Sequence, residues 1–203
     1  MTTRLLLVRH GQIVANVEQR WHGSTDDVLT ERGRDQAHRV AAHVARTRPE
    51  VAAVYSSPLR RARDTAHPIA TALGLPIVVT PGIAEYGIGV LENETFADLA
   101  ARHRFFEQVE ADPEWAPHGG ESLSAVARRV IAAWRDVARD HPGREVALVS
   151  HGAAIAIGLA TLFDADPRLW PRYRLRNTSI TEVVLEPAPR LVALDLAPHL
   201  EPA

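Results

Sequence analysis

Cysteine is absent from the 203-residue chain, which removes disulfides, thiolate metal sites and cysteine nucleophiles together. Long hydrophobic runs are missing too. The N-terminal stretch Leu5, Leu6, Leu7, Val8 stops at Arg9, far short of a signal h-region or a bilayer span. Neither sign of charge dominates: 23 Lys+Arg face 25 Asp+Glu for a net charge of -2, so a general nucleic-acid or acidic-membrane binder is not expected. The chain has no Gly-x-x-x-x-Gly-Lys loop and no His-Glu-x-x-His helix, which argues against a P-loop hydrolase and a metalloprotease. Internal repeats and low-complexity tracts are absent. A soluble cytoplasmic protein with no membrane or nucleic-acid partner is the expectation.

What is present is an ordinary globular composition, 46% hydrophobic over a length that suits one domain spanning residues 1–203. Apolar runs bounded by turn residues recur at Leu5–Val8, Val51–Tyr55, Ile77–Val79, Val146–Val149, Val183–Leu185 and Leu191–Leu194. Helical periodicity fills most of the gaps, so the pattern is α/β. Thr30 is placed to cap a helix whose apolar positions are Ala37, Val40, Ala41 and Val44. A second helix follows Pro58 and ends at Gly74, and a third starts near Ser122 and runs toward Pro142. The stretch 86–121 breaks the rhythm, with Phe96, Phe105, Phe106 and Trp115 but no convincing strand. It reads as a mostly helical insertion, a lid in which Phe105, Phe106 and Trp115 favour packing over substrate contact. The Pro-rich end after Pro187 reads as a final strand and a loose tail.

The same local pattern occurs twice. Leu5–Val8 runs into Arg9, His10, Gly11, and Val146–Val149 runs into Ser150, His151, Gly152. Each reads as a buried strand ending in a histidine, and strand C-terminal tips are where open α/β sheets bind ligands. Ser56, Ser57 and Arg61 follow a third strand, and Glu85 follows a fourth. If the sheet is mostly parallel, all four clusters meet at one edge.

The residue types suit phosphoryl transfer, in which charge on three equatorial oxygens is met by arginine forks and imidazole or amide donors. Arg9, Arg61, His151 and Asn16 fit that task. A neutral His10, kept uncharged by neighbouring guanidinium groups, would attack phosphorus, and Glu85 would move the proton. From the residues alone Arg61 competes with Arg60 and Arg63, Glu85 with Glu92, Glu94 and Glu121, and Asn16 with a simple turn-capping role. Asp164-Ala165-Asp166 raises a metal-dependent aspartyl phosphatase, but these residues follow a helix end rather than a strand tip.

The ordered set of motifs resembles the histidine phosphatase superfamily, also called the phosphoglycerate mutase-like family. Arg9-His10-Gly11-Gln12 with Asn16 is similar to its opening signature. Gly23, Asp26 or Asp27, Leu29-Thr30-Glu31, Gly33 and Gln36-Ala37 are similar to the next segment. Ser56-Ser57-Pro58-Leu59 with Arg61, Ala62 and Thr65-Ala66 follows, then Ile83, Glu85 and Gly89, Gly120-Glu121-Ser122, and Val149-Ser150-His151-Gly152.

The resemblance implies a three-layer α/β/α sandwich with a mostly parallel sheet. It implies catalytic roles for His10, Glu85, Arg9, Arg61 and His151, and substrate contacts from Arg9, Asn16, Gly23, Arg61, His151 and Gly152. No metal and no cofactor is expected. The chain departs from the family pattern at Gln12-Ile13 and at Leu91-Glu92-Asn93, where Trp-Glu-Gly is usual, and both departures bear on substrate preference. The short chain favours a phosphatase of small phosphorylated metabolites over a phosphoglycerate mutase. A non-catalytic phospholigand-binding module is the rival outside enzymes, and a homodimer is compatible with the chain.

Overall fold

In the computed structural model, which describes residues 2–201, six strands form one sheet in the order β3-β2-β4-β1-β5-β6. The strands are β1 (Arg4–Arg9), β2 (Val51–Ser56), β3 (Ile77–Val79), β4 (Glu145–Ser150), β5 (Ile180–Val184) and β6 (Arg190–Leu196). β1, β2, β3 and β4 pair in parallel, and β5 is antiparallel to both of its neighbours. The mostly parallel sheet expected from the sequence is therefore present.

Central parallel strands are covered on both faces, and alternate side chains enter opposite cores. Leu5 and Leu7 of β1 and Val146 and Leu148 of β4 pack toward α6 (Leu123–Asp140) and α7 (Gly152–Phe163). Leu6, Val8, Ala147 and Val149 pack toward α2 (Glu31–Thr47) and α3 (Arg60–Leu73). Three layers result directly from that alternation.

The helix signals hold. The Thr30 side chain accepts the Gly33 N–H at the start of α2, and Ser122 accepts the Ala125 N–H at the start of α6. Gly74 closes α3 in the left-handed region at φ 67°. The short α1 (Val14–Val17) follows β1.

Three details depart from the sequence reading. Segment 86–121 is less helical than expected: α4 (Phe96–Ala101), α5 (Phe105–Ala111) and a 3-10 turn at Gly89–Leu91 are joined by turns. β5 begins at Ile180, before the expected Val183, because Ile180, Thr181 and Glu182 pair with β1 despite their mixed polarity. Up to residue 201 the segment after Pro187 is not a loose tail; residues 202–203 lie outside the described residues. A 3-10 turn at Pro198–Leu200 packs on α2, Ala197 is buried, and the His199 ring lies 5.5 Å from that of His43. Among the described residues no helix is long and apolar enough to cross a membrane.

Candidate active site

The parallel register of β1 and β4 sets Arg9 beside Ser150, so the next residue of each strand, His10 and His151, emerges at the same edge. Their ring centroids lie 5.1 Å apart. The turn after β1 is held from three directions: His10 N–H donates to Ser150 O (2.9 Å), Asn177 Nδ2 to His10 O (3.0 Å), and Gly11 N–H to Thr65 Oγ1 (2.9 Å).

Hydrogen bonding fixes both tautomers. His10 Nδ1 lies 2.7 Å from Gly11 O; a carbonyl only accepts, so Nδ1 carries the proton and Nε2 keeps its lone pair. At His151 the order reverses. Arg61 Nε donates to Nδ1 (3.2 Å), which leaves Nε2–H to donate to Ser57 Oγ (2.7 Å). Burial, then the Arg61 and Arg9 guanidinium groups, holds His10 well below the ordinary imidazole pKa, so the ring is neutral. Burial and Arg61 lower His151 in the same way.

Arg61 is 1% exposed, whereas Arg60 pairs with Asp64 on the surface and Arg63 is exposed. The helical phase of α3 turns only the middle arginine inward. Its Nη1 donates to Thr25 O (2.7 Å) and its Nη2 to Gly23 O (2.7 Å). Gly23 itself sits at φ +47°. Arg9 Nη1 donates to Leu175 O, and its Nε is out of solvent with no acceptor. Among the described residues neither Arg9 nor Arg61 forms an ion pair, although Glu85 lies close enough to oppose the lowering of both pKa values by burial. Two guanidinium groups without carboxylate partners, one buried and one half-buried, at the wall of one pocket call for an anion.

Glu85 reaches the site from the other side of the sheet edge. Its carboxylate accepts from Tyr86 N–H (2.9 Å), Ala154 N–H (2.8 Å) and Ala153 N–H (3.3 Å), the last two at the start of α7. Arg129 on α6 grips the backbone leading to it, donating to Gly82 O, Ala84 O and Glu85 O, and is held in turn by Glu121. The rival carboxylates have other roles: Glu121 serves Arg129, Glu94 lies 3.7 Å from His103, and Glu92 faces the Gly23–Thr25 loop. Asp164 accepts from Tyr173, and Asp166 caps the 3-10 turn Pro167–Arg172, so that pair is structural.

Arg9, His10, Asn16, Gly23, Arg61, Glu85 and Gly152 all line one pocket of about 710 Å³. His151 sits just behind it, fully buried, through Arg61 and Ser57. Asn16 accepts Ile13 N–H as a cap, the turn role weighed for it, and also lines the pocket. Its Oδ1 also accepts from Asn177, which leaves Nδ2 for a ligand. Sequence reasoning missed the far wall. Trp170, Tyr173, Arg174 and Asn177 come from a loop after α7, and His22 from the loop before α2. Only spatial neighbours mark them, and no motif flags them. Phe96 and Phe106 of segment 86–121 also line the pocket, so Phe106, expected only to pack, both packs on the core and faces the pocket. Phe105 and Trp115 are packing residues, as expected. Asn93, at the glycine position of the family pattern, adopts φ 69°, a left-handed conformation that asparagine tolerates.

Comparison with known proteins gives the family and the fold. The model of the histidine phosphatase superfamily (branch 1) matches residues 5–194. A probable phosphoglycerate mutase GpmB of Yersinia pestis (strain Pestoides F) is 36% identical over 193 residues, covering 94% of this chain and 88% of that protein. Among solved structures, a phosphoserine phosphatase of Entamoeba histolytica in complex with 3-phosphoglyceric acid is similar at TM-score 0.87 and 29% identity, covering 98% of this chain and 100% of that one. A mycobacterial glucosyl-3-phosphoglycerate phosphatase in complex with VO3 is similar at TM-score 0.82 and 32% identity, covering 96% and 99%. With two strand-tip histidines, an inward arginine and a family match over residues 5–194, the chain belongs to the histidine phosphatase superfamily (branch 1).

Proposed function

We propose that the protein is a metal-independent phosphomonoesterase of small phosphorylated metabolites that works through a phosphohistidine at His10. The observation that carries this reading is the His10 ring itself. It is neutral, its Nδ1–H is tied to Gly11 O, and its Nε2 lone pair is left in a pocket that also holds two guanidinium groups without carboxylate partners.

In the first half-reaction Nε2 attacks phosphorus and the P–O bond to the leaving group breaks. Arg9 and Arg61 meet the charge on the equatorial oxygens. Glu85 gives its proton to the departing alkoxide. In the second, water attacks the phosphohistidine, Glu85 takes a proton from that water, and the N–P bond breaks to return neutral His10 and orthophosphate. The positive charge this requires is supplied by the two arginines, so added chelator leaves the rate unchanged.

A second reading, phosphoryl transfer between positions of one phosphoglycerate, is favoured by the name of the Yersinia relative. A mutase must keep water from the phosphohistidine. Here the pocket rim is open enough that Phe96 is 43% exposed, which supports hydrolysis.

The test is phosphate release by purified protein from a panel containing p-nitrophenyl phosphate, phosphoserine, 3-phosphoglycerate and glucosyl-3-phosphoglycerate. The expected result is release from at least one ester, an acid-labile phosphoryl label on the wild type, and a rate about 10³-fold lower or less in His10→Ala. Conversion of 3-phosphoglycerate to 2-phosphoglycerate without phosphate release would establish the mutase reading instead. Ligand binding with neither label nor turnover would point to the non-catalytic module.

A further inference from the structure

Arg61 has every one of its three nitrogens committed to a neighbour, and two of those neighbours belong to a loop with no secondary structure of its own. The far end of that loop is tied to α3 by Asp26, which accepts Arg60 N–H (2.7 Å), and its Ser24–Thr25 stretch is held by Glu92, at the end of the 3-10 turn Gly89–Leu91. Its Oε1 accepts from Ser24 N–H (2.8 Å) and Ser24 Oγ–H (2.7 Å), and its Oε2 from Thr25 N–H (2.8 Å) and the Thr25 hydroxyl. The approach is close enough that a Cβ on Gly23 would lie 2.4 Å from Oε1. Glu92 has no ion-pair partner among the described residues, so all its hydrogen bonds serve this loop.

We propose that Glu92 is a positioning residue for Arg61: its carboxylate clamps Ser24 and Thr25, and the carbonyls of Gly23 and Thr25 then aim the guanidinium at the phosphate. The inference rests on the phosphatase reading for its role in turnover. Two features make a carboxylate the matching group. All four contacts come from donors, and a carboxylate offers lone pairs on both oxygens, whereas glutamine offers one acceptor oxygen and sets an NH2 against the donors of Ser24 or Thr25. The platform behind Glu92 is also fixed, because Asn93 N–H donates to Trp21 O (2.8 Å) and Trp21 N–H to Glu94 O (3.0 Å). One guanidinium at the sheet edge is thus held in register by a residue of the insertion, with His151 bonded to its remaining nitrogen.

The experiment is a double-mutant cycle of Glu92→Gln with Arg61→Lys. It is read as kcat/KM for p-nitrophenyl phosphate and as the affinity for orthovanadate, with Glu94→Gln as a neighbouring-carboxylate control. Glu92→Gln alone is expected to lower kcat/KM about tenfold and weaken orthovanadate by a similar factor, while the control stays within about twofold of wild type. In the Arg61→Lys background the same substitution should change either quantity by less than about twofold, because its effect passes through the arginine.

Equal losses in both backgrounds would overturn the proposal, as would an unaffected Glu92→Gln. If Glu92→Gln does not fold, Ser24→Ala and Thr25→Val each remove one hydroxyl donor to the same carboxylate; threefold losses that vanish with Arg61→Lys support the proposal, and losses that persist there overturn it. Should the wild type hydrolyse no ester, the phosphatase reading fails by itself, and the orthovanadate arm still decides the role of Glu92.

Discussion

At the scale of single residues the site works by taking freedom away from two imidazoles. His10 is left with one usable nitrogen, and His151 spends both of its nitrogens on Arg61 and Ser57. Ser57 is fully buried, so Ser57→Ala strands a buried Nε2–H at a cost of about 1–3 kcal/mol. For a domain of this size each 1 kcal/mol moves the melting temperature by roughly 2–4 °C, so a fall of several degrees in a thermal melt is expected, and no fall would show that the bond contributes nothing. Much of the residue-level assignment was readable beforehand because it depended on local order. Two strand-then-histidine runs can hardly be arranged otherwise in a parallel sheet, and the helical phase turns Arg61 inward once α3 is placed. Asn177 and Glu92 were not readable, since their partners lie far away in sequence and each sits in an irregular loop. The carboxylates Glu85 and Glu92, seven residues apart in one loop-rich stretch, look alike as sequence, and only the structure separates the group at the α7 N-terminus from the one at the loop.

Elements were legible where they are amphipathic or capped. α2, α3 and α6 carry a polar face and clear end signals, and all three were located from them. α7 carries neither: eight of its twelve residues are buried, so it shows no stripe, and its helical nature is dictated by packing between the sheet and α6. Gly158 marks the closest point of that packing. A Cβ there would lie 2.5 Å from Trp134 Cη2, a ring that is 1% exposed and has nowhere to move. Gly158→Ala therefore sets a gain in helix propensity of about 1 kcal/mol against overpacking of about 1–3 kcal/mol. The expected net is destabilisation, read as a lower urea midpoint; a higher midpoint would mean that α6 and α7 can separate freely. Gly158→Ala paired with Trp134→Phe, which trims the ring, should recover part of the loss.

Across the whole molecule the same burial that keeps His10 and His151 neutral makes the fold sensitive to acid. His10 and His151 are held well below the ordinary imidazole value, first by burial and then by arginine. Far from the site, His199 is lowered to about 4 by burial and by the adjacent His43, with its Nε2 at 3.1 Å from Thr178 Oγ1. An unfolded chain protonates each of these rings near pH 6.5, whereas the native state does so only at lower pH. Between those values the unfolded state binds more protons, so stability is full above about pH 6.5 and declines as pH falls, by up to about 1.4 kcal/mol per pH unit for each fully coupled ring. His199 is partly exposed and contributes a smaller share. Burial alone would raise the Glu182 pKa, but its bonds to Arg48 and Arg4 outweigh that and leave it lowered, so its contribution is lost only in a more acid range, below the histidines. Urea midpoints measured from pH 7 to pH 4 should therefore fall steadily, and His199→Gln, which can still bond Thr178, should flatten the slope without moving the acid limb of kcat/KM set by His10. A midpoint constant from pH 7 to pH 5 would contradict the neutral, buried imidazoles on which the chemistry at the sheet edge depends.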